Sequence, residues 1–139
     1  MRPILAKPIY LFFFFIFAVL NLICSLIVLS YVAHTPNISH ELNIPVFFAI
    51  NIQQVHGIIL LFSSILLFIK NIFFLTISSF LFSMGLVFFS LNIYLKFFFN
   101  FNFFSKLIPF GGILLFIGWG TMVVAGVNFY YFFRKNYLK

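Results

Sequence analysis

Four apolar stretches, each about as long as a bilayer is thick, leave this chain few ways to fold. A spanning helix needs about 20 mostly apolar residues, within a range of roughly 17–25. Residues 9–33 supply one, uncharged throughout. Residues 45–69 supply a second, interrupted by Asn51, Gln53, Gln54 and His56. Residues 72–95 and 109–133 supply the third and fourth. Hydrophobic residues make up 65% of the 139, charged residues only 6%, and the mean hydropathy is +1.24. Soluble domains carry about 25% charged residues, and a chain this short cannot bury so much apolar surface in one core. The bilayer is the solvent that fits. The expected fold is an all-α integral membrane protein, a bundle of four transmembrane helices. Residues 1–139 read as one polytopic domain, with no internal repeat and no Ser/Gly linker.

The first stretch is longer than the 7–15 residues of a signal peptide's apolar region, and no A-x-A site follows it, so it reads as a retained helix. The second stretch admits two readings. If it spans from Pro45, His56 lies about eleven residues in, near mid-membrane. The four polar residues then need partners, because unpaired polar groups are costly there. Alternatively residues 41–52 lie along the interface and residues 53–69 span, a length of roughly 25 Å. The second reading is preferred here, because it leaves the polar groups within reach of headgroups.

Net charge is +7, with Glu41 the single acid. The basic residues flank the apolar stretches, so they read as helix anchors and not as a nucleic-acid surface. With four spans, Arg2, Lys7, Lys70, Arg134, Lys135 and Lys139 share one side, and Lys96 and Lys106 the other. Positive-inside then places both termini on the cytoplasmic or matrix side. Cys24 has no internal partner for a disulfide and reads as a small buried hydrophobe. The 26 phenylalanines match no packing requirement. With Ile and Asn they suggest AT-rich codons, hence a reduced bacterial or an organellar genome, and a bacterial or mitochondrial inner membrane.

Alternating spans bring separated polar pieces to one end of the bundle. His34 closes the first helix, Gln53 and His56 open the second, Ser90 and Tyr94 lie late in the third, and Pro109, Gly111 and Gly112 begin the fourth. These eight residues form the expected structural cluster. Gln53 and His56 are neighbours on one helix face. Ser83, Ser90 and Tyr94 make a stripe on the third helix. Gly111, Gly118 and Ala125 recur every seven residues, and Thr121 and Ala125 form a small-xxx-small pair. Such small residues let helices approach closely in lipid. Trp119 follows a glycine, and its indole N–H needs a partner across the bundle.

These pieces, in order, resemble the domain of unknown function 423 membrane proteins, which are similar to the mitochondrial transmembrane protein 256 of animals. Ala33-His34 looks like the family's Gly-Ala-His, and Gln53-Gln54-Val55-His56 like its Tyr-Gln-Met-Tyr-His. The run from Phe89 to Tyr94 resembles Phe-Ser-Gly-Ser-Leu-Tyr. Pro109-Phe110-Gly111-Gly112, followed by Gly118-Trp119, is similar to Pro-x-Gly-Gly and Gly-Trp. The chain departs from the pattern at Leu29-Ser30-Tyr31-Val32, which replaces a glycine-rich stretch, and at Asn51, Ile52, Val55, Leu91 and Asn92. The resemblance implies four helices in a membrane and carries over no activity.

A metal or haem site would draw on His34, His56 and, in the loop, His40 and Glu41, but stable metal sites use three or four ligands. The expected role of His56 is a hydrogen bond to Ser90, Tyr94 or a loop carbonyl. No catalytic triad, carboxylate pair or phosphate-binding glycine loop is present in the sequence. The expectation is therefore no enzyme, no metal and no cofactor. Three roles remain: a structural or accessory membrane protein, an accessory subunit of a respiratory-chain complex in the mitochondrial inner membrane, and a small transporter or channel component. The partners implied are the lipid bilayer and a larger membrane complex or further copies of the chain. A transporter predicts a continuous polar stripe along one helix, and the sequence has none.

Overall fold

The computed structural model describes residues 9–35 and 40–137, with the side chains at 40–43, 133, 136 and 137 outside that description. Helix α1 covers Ile9–His34, α2 His40–Ile69, α3 Phe73–Leu86, α4 Asn92–Phe99 and α5 Ile108–Tyr137. A π-helical turn, Val87–Leu91, joins α3 to α4, and a 3-10 turn, Ser105–Leu107, leads into α5. The backbone stays helical through Leu86, Val87, Leu91 and Asn92, so α3, the π turn and α4 form one rod. Among the described residues, four rods are long and apolar enough to cross a membrane: Ile9–His34, Ile44–Ile69, Phe73–Phe99 and Ser105–Phe132. The described residues contain no strand. The protein is an all-α four-helix bundle.

Local chemistry sets the helix ends. Asn100 adopts a left-handed conformation (φ 52°) and ends α4, and the Phe101 N–H turns back to the Leu95 carbonyl at 3.3 Å. Asparagine tolerates that backbone better than most residues, and such a residue commonly closes a helix. Between α2 and α3 only residues 70–72 are non-helical, with the Lys70 N–H donating to Leu66 O at 2.9 Å. A turn this short forces the two rods to run antiparallel as neighbours.

The rods are arranged as two hairpins. α1 packs along α2, α3 packs along α5, and the hairpins meet where α2 faces the α3–α4 rod. α1 and α5 therefore occupy the outer corners, and the edges between α1 and α3 and between α2 and α5 are more open. One apolar cluster centres on Leu11, Phe14, Ala18, Leu60, Phe82 and Leu115, a second on Val28, Val32, Val46, Ala49 and Ile50. Tyr10 meets Asn71, and the Lys70 ammonium sits over the Phe132 ring, so the start of α1, the α2–α3 turn and the end of α5 share one end of the bundle.

The second helix differs from the preferred sequence reading. α2 runs unbroken for 30 residues, about 45 Å, and residues 41–52 belong to it and not to a separate interfacial segment. Pro45 sits inside its first turns. The expectation of an interfacial segment rested on the cost of burying Asn51, Gln53, Gln54 and His56 together. Gln53 and His56 are buried with partners from other helices, which removes their share of that cost, while Gln54 is half-buried and Asn51 exposed.

Candidate functional site

The polar groups inside the bundle form two networks. In the first, the Tyr94 hydroxyl donates to Gln53 Oε1 at 2.5 Å, and Gln53 Nε2 donates to the Asn21 carbonyl (3.0 Å) and to Asn21 Oδ1 (2.9 Å). Asn21 Nδ2 in turn donates to Phe17 O at 3.2 Å. One chain of bonds thus ties α4 to α2 and α2 to α1. Gln53 spends both amide hydrogens and its carbonyl oxygen here, although a glutamine in a membrane core is otherwise costly. Beside it the Ser90 hydroxyl, on the π turn, donates to Ala49 O on α2 at 3.2 Å.

The second network joins α5 to the rest. Trp119 Nε1 donates to His56 Nε2 at 3.1 Å, while His56 Nδ1 lies 2.8 Å from Ile52 O. An indole N–H can only donate and a carbonyl can only accept. The imidazole is therefore neutral, with its proton on Nδ1 and its Nε2 lone pair occupied by tryptophan. The rings of His56, Phe82 and Trp119 meet edge to face, with centroids 5.3, 5.7 and 5.9 Å apart. One turn away the Ser78 hydroxyl donates to Gly118 O at 2.9 Å, bridging α3 and α5. The buried hydroxyls of Ser63 and Ser105 have no partner among the described residues.

The glycines of α5 allow this closeness. A Cβ on Gly111 would stand 2.5 Å from the Phe89 nitrogen, and one on Gly118 would stand 2.7 Å from the Phe82 ring. Gly111, Gly118 and Ala125 all face inward, at the seven-residue spacing seen in the sequence. The π turn lies opposite Gly111, and Asn92 Nδ2, at the start of α4, donates back to Phe88 O within it at 2.8 Å. Between α1 and the α3–α4 rod a groove of about 260 Å³ opens, with Cys24 on its wall and Asn21, Gln53 and Tyr94 among its lining.

The eight residues expected to cluster are distributed as follows. Gln53 and Tyr94 are bonded to each other, Ser90 reaches the same helix, and Gly111 abuts the π turn. Gly112 is half-buried, and its Cβ position would lie 4.0 Å from the Phe89 ring. His34 and Pro109 are exposed and stand apart. His56 pairs with Trp119 and Ile52, where Ser90, Tyr94 or a loop carbonyl was expected, because its ring points toward α5. The side chains of His40 and Glu41 lie outside the described residues. Among the described residues, no three His, Cys, Asp or Glu side chains come together. Cys24 is exposed where a buried position was expected. Sequence reasoning missed Asn21, although it is the only carboxamide in the first stretch, and missed Ser78 and the π turn.

Membrane-length rods held by buried hydrogen bonds and close glycine contacts define a polytopic α-helical membrane protein. A family model described as protein of unknown function (DUF423) matches residues 30–112, more than half of the chain. The protein belongs to that family. The match takes in Gln53, His56, Ser90, Tyr94 and Gly111, and leaves Asn21 and Trp119 outside. No curated protein and no solved structure matches the chain.

Proposed function

We propose that this protein is a structural or accessory component of a bacterial or mitochondrial inner membrane, docking on a larger membrane complex and carrying out no reaction of its own. One observation supports this reading. The buried side chains best suited to chemistry, Gln53, His56 and Tyr94, are bonded to one another's helices or to Trp119. Their hydrogen-bonding capacity goes into cohesion. The outer faces of the four rods are largely apolar, with Asn51 an exposed polar group among them, and meet lipid or a membrane neighbour.

Extraction in mild detergent, followed by a native gel and mass spectrometry of each band, tests the reading. The expected result is migration with a larger assembly whose other subunits recur between preparations. Migration of the 16.2 kDa chain alone or only with its own copies would overturn it.

A further inference from the structure

We propose that two copies of this protein associate through the outward face of α2, with Asn51 of each copy hydrogen-bonded to Asn51 of the other inside the bilayer. The bundle partners of α2 all lie on one flank, through Ala49, Gln53, His56 and Gly57. On the opposite flank Phe48, Asn51, Val55, Ile58 and Phe62 are exposed, at alternating steps of three and four. Asn51 is the polar member of that stripe, and it makes no hydrogen bond among the described residues.

Its depth follows from contacts already described. Ser90 is bonded to Ala49 O, which fixes the level of α2 against the third rod. Lys96 lies six residues beyond Ser90, and Asn51 two residues further in than Ala49, so Asn51 is about 12 Å inside the level of Lys96. Lys70, at the other end of α2, is about 28 Å below Asn51. The two lysine levels are then about 40 Å apart, close to a bilayer with its headgroups. Asn51 falls within the hydrocarbon, and its side chain is too short to reach the interface as a lysine does. A carboxamide there needs a partner in the membrane.

A second copy supplies that partner by construction. Two copies with the same topology, related by a twofold axis along the membrane normal, hold the same residue at the same depth. A carboxamide carries both a donor and an acceptor, so two of them can bond reciprocally. Any unrelated neighbour would have to bring a polar group to that level by coincidence. Shape agrees, since Asn51 and Val55 are the smaller side chains between Phe48 and Phe62, and the closest approach of two α2 helices falls there. This interface is separate from docking on a larger complex, and the two can be tested apart.

The full chain carrying Cys24→Ser, with a single new cysteine, is oxidised in its native membranes. Val55→Cys is expected to form a disulfide-linked dimer, and Val123→Cys, on the exposed face of α5, to stay monomeric. In liposomes, energy transfer between labelled copies is expected to show Asn51→Leu weakening association about tenfold, with Asn51→Gln retaining most of it. Cross-linking at Val123→Cys without cross-linking at Val55→Cys would overturn the interface. Unchanged association of Asn51→Leu would overturn the role of Asn51. Val55→Cys keeps the test valid even if an Asn51 variant fails to insert.

Discussion

At the scale of single residues, partners decide what a polar side chain costs in this bundle. Gln53 and His56 looked expensive in the sequence because a linear reading cannot show what faces them. Asn21 supplies the answer for Gln53 from 32 residues away, and Trp119 for His56 from 63. The need of Trp119 for a partner was legible, since an indole N–H in lipid must donate somewhere. Which residue accepts was not, because it depends on the rotation of α2 about its axis. Removing the Tyr94 hydroxyl strands the Gln53 carbonyl oxygen. Tyr94→Phe should destabilise the protein by about 1 kcal/mol, measured by unfolding in mixed detergent. Once Gln53 is Leu, the same change should cost far less, so a double-mutant cycle reads the bond directly.

At the scale of the elements, four apolar rods and the inward seam of α5 were readable from periodicity, since a helix presents one face every three to four residues. The π turn was not readable. No residue type signals it, and it arises where Phe88 and Phe89 press against the α5 backbone at Gly111. The length of α2 was misjudged for the related reason that its polar residues were weighed without their partners. A graded test follows from what each glycine faces. Gly111→Ala meets backbone that cannot yield and should cost about 1–3 kcal/mol, as overpacking does. Gly118→Ala meets the buried Phe82 ring and should also destabilise, whereas Gly120→Ala meets nothing within 4 Å and should fall within about 0.5 kcal/mol of the parent. Thermal denaturation of the three variants in one detergent ranks them.

At the scale of the whole molecule, the common end occupied by Tyr10, Lys70 and Phe132 turns the charge count into a topological prediction. Lys70, Arg134 and Lys135 lie toward that end, Lys96 and Lys106 toward the other. The positive-inside rule predicts the first group on the cytoplasmic or matrix side. A fluorescent protein fused after Lys139 should therefore be bright, and an alkaline phosphatase fused there inactive, when the chain is expressed in bacteria. The opposite pattern would reverse the orientation without altering the fold. The overall bundle was legible because lipid imposes it on any chain with these four stretches. The two-hairpin arrangement was not, because it depends on which small residues meet which large ones.

That arrangement also has a consequence for how the protein is made. The Asn21–Gln53 bonds lie wholly within the first hairpin, and the Ser78–Gly118 bond wholly within the second. Each half can enter the bilayer with some of its polar groups already paired, before the other half has left the ribosome. Only later do Tyr94, Ser90 and Trp119 latch the halves together. A gene severed between Lys70 and Asn71 should consequently yield two polypeptides that insert separately and copurify when expressed together. Recovery of one piece without the other would mean that the turn, and not the latch, unites them.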